Sequence, residues 1–150
     1  MAKTLNPPKT ARLGDFLCFA VYSANLAFGR AYRPILDKLG LTYTQYVTLV
    51  ALSEDDDQTV GEVGEKLFLE SNTLTPILKK LEALGLAERR RDPADERQVR
   101  VKLTPAGHKL RQQVESDASG LIEMTGLGSD FARVQRTIAT LRDNLLRGGA

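Results

Sequence analysis

One cysteine, one histidine and no tryptophan occur among 150 residues. A lone cysteine closes no disulfide within the chain, and with a single histidine it cannot complete a four-ligand zinc site; no metal is expected. It suits a reducing compartment. No stretch approaches the roughly 18 apolar residues that cross a bilayer, and the opening MAKTLNPPKT has no apolar run for a secretion signal. The expectation is a cytoplasmic chain with no membrane partner. Cofactor chemistry is equally thin. The G-x-x-G of Gly61 and Gly64 has no Lys-Ser/Thr pair in place for a phosphate loop, so no cofactor is expected. No nucleophile, base and orienter form a hydrolytic trio, because His108 lies far from Cys18 in sequence. His108 reads as solvent-facing and Met124 as core filler.

What is present is enough for one domain: 42% hydrophobic residues and a net charge of +2. That small excess is unevenly spread. Glu54 to Glu70 carries seven acids and one base, whereas Ser71 to Lys102 carries eight bases against five acids. Positive charge gathers where a recognition element can use it.

Periodicity sets the organisation. Leu13, Phe16, Leu17, Ala20, Val21, Ala24, Ala27, Phe28 and Ala31 recur at three and four, an amphipathic helix, with Phe19, Tyr22 and Leu26 as a second apolar ribbon. A helix apolar on two sides needs two covers, its own domain and a second copy of the chain. Pro34 is expected to end or kink it, and Gly40 breaks the chain again. Thr42 opens an apolar segment, Tyr43 to Leu52. Thr59 is placed to cap a short helix holding Val60, Val63, Leu67 and Phe68, and Ser71 a longer one, NTLTPILKKLEAL, stopped by Gly85. Two helices so joined read as a helix-turn-helix. LAERRR and RQVRVKL then alternate as strands around the turn DPADE, with Val99, Val101 and Leu103 inward and Arg100 and Lys102 outward. Thr104 and Pro105 start a helix running toward Ile122, Gly126 and Gly128 interrupt, and Phe131, Val134, Ile138, Leu141 and Leu145 form a coiled-coil-like seam.

The predicted fold class is mainly α with a small β-hairpin wing, a winged helix-turn-helix. Residues 12–40 and 104–147 read as dimerisation helices and 43–103 as the winged-helix, DNA-binding part of a single subunit, 1–150. Binding duplex DNA takes cations against phosphate and small polar groups at base edges. Ser71, Asn72, Thr73 and Thr75 crowd a helix N-terminus, with Lys79 and Lys80 farther along. In the hairpin, Arg89, Arg90, Arg91, Arg97, Arg100 and Lys102 are gathered; Arg97 is the expected minor-groove contact, steadied by Asp95.

From Leu41 to Gly107 the chain resembles the MarR family of dimeric winged-helix regulators. The motifs that carry the likeness are T-L-T-P-x-L-K-K-L-E-x-x-G-L and the D-x-R of Asp95 and Arg97. The resemblance implies a homodimer placing two recognition helices in successive major grooves of a pseudo-palindromic operator, about 34 Å apart.

Cys18 lies off the main stripe with Tyr22 one turn above it. Phenolic hydroxyls donate to a thiolate and favour it over the thiol, and the thiolate is the nucleophile toward peroxide. The segments L-C-F-x-x-Y and A-Y-R-P-I-L-D-K-L-G-L-T-Y extend the likeness to the organic hydroperoxide resistance regulator (OhrR) branch of the family. That likeness implies Cys18 as the peroxidatic residue, Tyr32 and Tyr43 as hydrogen-bonding partners from the other subunit, and an apolar pocket near Phe16, Phe19 and Tyr22. Some members carry a second, resolving cysteine; this chain has none and falls with the one-cysteine type, so a small cellular thiol joins organic hydroperoxide as an expected partner. Two other readings stay open: a regulator of the same fold released by a noncovalent aromatic or phenolic ligand, and a thiol peroxidase.

Overall fold

A computed structural model describes residues 11–149; the opening MAKTLNPPKT, where no secretion signal is expected, lies outside the described residues, as does Ala150. The chain divides between Gln112 and Gln113 into two compact units.

In the first unit, a short 3-10 turn at Leu13–Asp15 precedes α1, Leu17–Asp37. The helix therefore starts later than the apolar spacing suggests. Asp15 accepts the Arg12 N–H at 2.9 Å, and Phe16 is extended, so the 3-10 turn closes before the helix opens. The expected stop at Pro34 does not occur. A proline three residues from the helix end forfeits only the bond to the Arg30 carbonyl, and the helix runs on to Asp37. The stop is Gly40, at φ +69°, with Leu41 N–H donating back to the Leu36 carbonyl at 3.1 Å.

Thr42 and Gln45 exchange hydrogen bonds in a capping box that opens α2, Tyr43–Glu54. This helix is the central pillar of the unit, burying Tyr46, Thr48, Leu49, Ala51 and Leu52. After the acidic turn comes a strand that sequence reading misses, β1, Gln58–Thr59; two residues are too few to show alternation. Thr59 and Glu62 form a second capping box for α3, Val60–Leu67. Phe68 does not belong to that helix's apolar face as expected. It takes the left-handed cap conformation, φ +57°, and is 56% exposed.

The following helix, α4, Ser71–Ala83, starts at the residue expected to cap it: Glu70 is the N-cap and Ser71 is the first helical residue. Leu74, Leu78 and Leu81 are fully buried along its inner side. It ends as Gly85 and Leu86 donate to the Glu82 and Leu81 carbonyls, both at 2.9 Å, a Schellman closure that requires the +73° φ of Gly85.

Strands β2, Ala87–Arg91, and β3, Val99–Leu103, pair antiparallel, and β1 adds to the other edge of β3. Val101 and Leu103 face the core and Lys102 faces out. Arg100 alternates with the buried Val101 but is half-buried rather than open to solvent like Lys102, because two aspartates hold it, as described below. Thr104 joins wing and helix: its hydroxyl donates to the Gly85 carbonyl at 2.7 Å and accepts from Gly107 N–H at 3.1 Å. Pro105 opens α5, Pro105–Asp117. That helix ends short of the expected Ile122, in a turn where Leu121 N–H meets the Ala118 carbonyl at 2.9 Å.

The second unit holds α6, Leu121–Met124, and α7, Phe131–Gly148. Between them Gly126 and Gly128 are left-handed, the expected interruption. Met124, expected in the core, is 73% exposed, since a four-residue helix offers too little surface to enclose it.

One outcome concerns both ends of the chain. Of the apolar residues on α1 only Leu36 is buried; Leu17, Val21, Leu26 and Phe28 are exposed, as are Leu13 and Phe16 just before it. Of the two covers expected for this helix, the chain's own fold supplies one only toward its C-terminal end, around Tyr32 and Leu36. On α7, Ile138, Leu145 and Leu146 of the apolar side are likewise exposed.

Candidate functional site

The first cluster of interest is the end of α4 facing the hairpin. Ser71, Asn72 and Thr73 are exposed in the first turn. Glu70 makes no side-chain cap bond, so the amides of Ser71 and Asn72 are not capped by it. Pro76, having no N–H, leaves the Asn72 carbonyl without its helical donor. This end of the helix therefore offers donors and an acceptor at once. Thr75 is half-buried, its hydroxyl spent on the Ser71 carbonyl at 2.7 Å. Lys79 and Lys80 are exposed one to two turns on. An open groove of about 490 Å³ separates this end from the wing; Ser71 and Thr75 line one side and Arg97, Gln98 and Val99 the other.

The wing cations fall into two groups that composition cannot separate. Arg97 is 90% exposed at the tip, with Asp95 accepting from its Nε at 3.0 Å and from its own backbone N–H at 3.1 Å. Those bonds from Arg97 hold the Asp95 carboxyl below its ordinary range. This is the expected Asp95–Arg97 pairing. Arg91 is exposed and donates to the Glu96 carbonyl across the loop at 3.1 Å. The others are paired with acids of the fold. Arg89 grips Glu82 of α4 through Nε at 2.9 Å and Nη2 at 2.8 Å, holding that carboxyl low. Arg100 donates to Asp57 and Asp92, and Arg90 to Asp57. Arg89 and Arg100, proposed from sequence as DNA contacts, thus already have acidic partners within the fold.

The second cluster lies on α1. Cys18 is exposed, in the first turn of α1 and flanked by the exposed Leu17 and the half-buried Phe19. Tyr22, 59% exposed, is one turn on, its ring centroid 6.3 Å from that of the half-buried Phe19. Phe16 is exposed beside them. Tyr32 and Tyr43 meet where α1 faces α2, ring centroids 5.2 Å apart, and Tyr46 packs on Tyr32 at 5.6 Å. Tyr46 is the aromatic that sequence reading passes over; its place one turn beyond Tyr43 was the available signal. Burial first, and the Tyr32 phenol second, raise Tyr43 above the ordinary tyrosine value. Its hydroxyl is therefore a protonated donor at neutral pH.

Cys18 and Tyr32 lie on one helix fourteen residues apart. At the helical rise that is about 21 Å, beyond any side-chain hydrogen bond within a chain.

The regulator family described as SarA/Rot matches residues 30–114. The chain is 47% identical over 134 residues to the HTH-type transcriptional regulator TtmR of Methylorubrum extorquens, covering 89% of this chain and 69% of that one. It is 37% identical over 137 residues to the organic hydroperoxide resistance transcriptional regulator of Bacillus subtilis, covering 89% and 92%. Among solved structures it resembles reduced AbfR bound to DNA, at 36% identity and a TM-score of 0.69, covering 87% and 95%. Overoxidised AbfR bound to DNA matches at 34% identity and a TM-score of 0.75, covering 90% and 95%. By its winged helix, its D-x-R wing and these relatives, the chain belongs to the MarR family of transcriptional regulators, of SarA/Rot type, on the organic hydroperoxide resistance branch and with a single cysteine.

Proposed function

We propose that this regulator is a homodimeric repressor that holds a pseudo-palindromic operator while Cys18 is reduced and releases it when an organic hydroperoxide oxidises that sulfur. The observation that carries the reading is the exposed cysteine near the start of α1, with a cluster of three tyrosines, Tyr32 of α1 and Tyr43 and Tyr46 of α2, packed near the other end of that helix. The separation along α1 means that Tyr32 and Tyr43 reach Cys18 only from a second copy, packed antiparallel along the uncovered face. Residues 12–40 and 104–147 then build the dimer and 43–103 read DNA. Ser71, Asn72, Thr73, Thr75, Lys79 and Lys80 enter the major groove, Arg97 with Asp95 reaches the minor groove, and Arg91 approaches phosphate.

The chemistry balances with two reactants from outside. The Cys18 thiolate attacks the outer peroxide oxygen, the O–O bond breaks, an alcohol leaves, and sulfur becomes a sulfenic acid. A small cellular thiol then displaces water to give a mixed disulfide. Phe16, Phe19 and Tyr22 provide the apolar surroundings that favour an organic peroxide over hydrogen peroxide. The adduct is larger than the thiol and no longer accepts the phenols' hydrogen bonds, so the two helices it lies between must move apart. Releasing most operators takes roughly 5.5 kcal/mol of differential affinity, the amount that inverts a 1:99 population. Oxidation once per subunit suffices, which is signalling rather than turnover.

The test is a gel-shift titration of reduced protein with cumene hydroperoxide, alongside Cys18→Ser and with mass spectrometry of the Cys18 peptide. The substitution should keep DNA binding and lose release. Release that persists in Cys18→Ser would overturn the covalent trigger and leave a regulator answering to a noncovalent ligand; sustained peroxide consumption with added thiol would make the protein a peroxidase.

A further inference from the structure

Asp57 ends the acidic turn between α2 and β1 in the left-handed conformation, φ +59°, a backbone that aspartate and asparagine accept more readily than other non-glycine residues. One carboxylate oxygen, Oδ2, accepts from both wing strands: from Arg90 of β2, and from Arg100 Nε of β3 at 3.2 Å. The Asp57 carbonyl accepts from Arg100 Nη2 at 2.6 Å, and the remaining guanidinium nitrogen reaches Asp92 at 3.1 Å. Arg90 and Arg100 are directly opposed in the β2–β3 register. Like charges in that position repel and splay a hairpin unless an anion sits between them. The next residue, Gln58, is buried and donates to the Ala51 and Asp55 carbonyls, both at 2.9 Å, which ties this anion to the end of the rigid α2. At the far side of the clamp, Asp92 accepts the Ala94 N–H at 2.9 Å and so begins the loop that carries Arg97.

We infer that Asp57 is a positioning residue for operator binding: it clamps the opposed Arg90 and Arg100 to the end of α2 and thereby sets where the wing tip, Arg97, meets the duplex. The inference rests on the winged helix being the DNA reader and assigns Arg90 and Arg100 to holding the wing rather than to phosphate. It makes an unusual demand on sign. Removing a negative charge from a DNA-binding face ordinarily tightens binding to a polyanion; removing this one should weaken it.

The experiment uses the full reduced chain and a fluorescein-labelled duplex enriched by the wild type from a random pool. Asp57→Asn keeps the size of the side chain and tolerates the left-handed backbone; Asp57→Gly keeps the backbone and loses the clamp altogether. Each should weaken binding by about tenfold and lower the salt slope by about one phosphate, as though the wing contact were lost. Arg97→Ala should do the same, and Asp57→Asn in that background should add less than about twofold, because both act on one contact. Thermal melts of each variant separate loss of fold from loss of position, since a merely destabilised chain would show losses that add. Unchanged or tighter binding in Asp57→Asn overturns the clamp while Arg97→Ala still weakens binding. If Arg97→Ala itself changes nothing, the wing does not read DNA and the clamp falls with that reading.

Discussion

At the residue scale, the informative distinction is between side chains already used by the fold and side chains left for a partner. Arg100 and Arg97 are three positions apart on the same hairpin, yet one is drawn onto Asp57 and Asp92 and the other is 90% exposed. Cys18 and the tyrosines divide in the same way: the sulfur is exposed, and Tyr32 packs against both Tyr43 and Tyr46. Burial raises Tyr43 above the ordinary tyrosine value, and in the proposed dimer its hydroxyl is a donor to the Cys18 thiolate. A hydrogen bond to a charged group contributes about 1.5–3 kcal/mol, so Tyr43→Phe should slow Cys18 oxidation roughly tenfold or more, read as the rate of sulfenic acid trapping by dimedone. An unchanged rate would remove Tyr43 from the proposed site. The pairing of Asp95 with Arg97 was legible from two residues of spacing, whereas Asp57 lies 33 and 43 positions from its arginines and left no local pattern to read.

At the element scale, the capping signals were the most dependable part of the chain, because a cap is a contact between residues three apart. Thr42 and Thr59 do as expected, and Gly40 and Gly85 end their helices. Ser71 was displaced by Glu70, and Pro34 was absorbed because a proline near a helix end costs a single hydrogen bond. Gly107 shows what local reading cannot reach. A Cβ there would lie 2.1 Å from the Leu86 carbonyl oxygen, which is backbone and cannot swing aside. Gly107→Ala should force α5 away from the end of β2 and destabilise the protein by about 2–4 kcal/mol in urea unfolding. A midpoint equal to wild type would show that the helix shifts without cost.

At the scale of the whole molecule, α1 and α7 each leave apolar side chains exposed, the surface that the proposed second copy would cover. Leu145 is 68% exposed in the last turn of α7 and contributes little to a single chain. Leu145→Lys places a cation where the helix dipole favours it, so the chain should stay folded. Buried at a two-fold interface, the same lysine would be charged and unpaired. Sedimentation equilibrium should then report at least about a tenfold weaker dimer, with DNA binding lost in parallel, since each module alone forfeits its partner's half-site. A dimer as tight as wild type would place Leu145 outside the interface.

Helix periodicity, caps, turn chemistry and the D-x-R wing are interactions among residues close in sequence, so the amino-acid order by itself determined the main helices, the hairpin, their order along the chain and the family, though not the two-residue β1 or every helix end. Which arginines are spent on the fold, why Asp57 is left-handed, and that α1 meets the solvent on nearly every apolar position were decided only in three dimensions. Those outcomes depend on pairs brought together from distant parts of the chain and on surface left uncovered after folding, and neither leaves a periodic trace in the sequence.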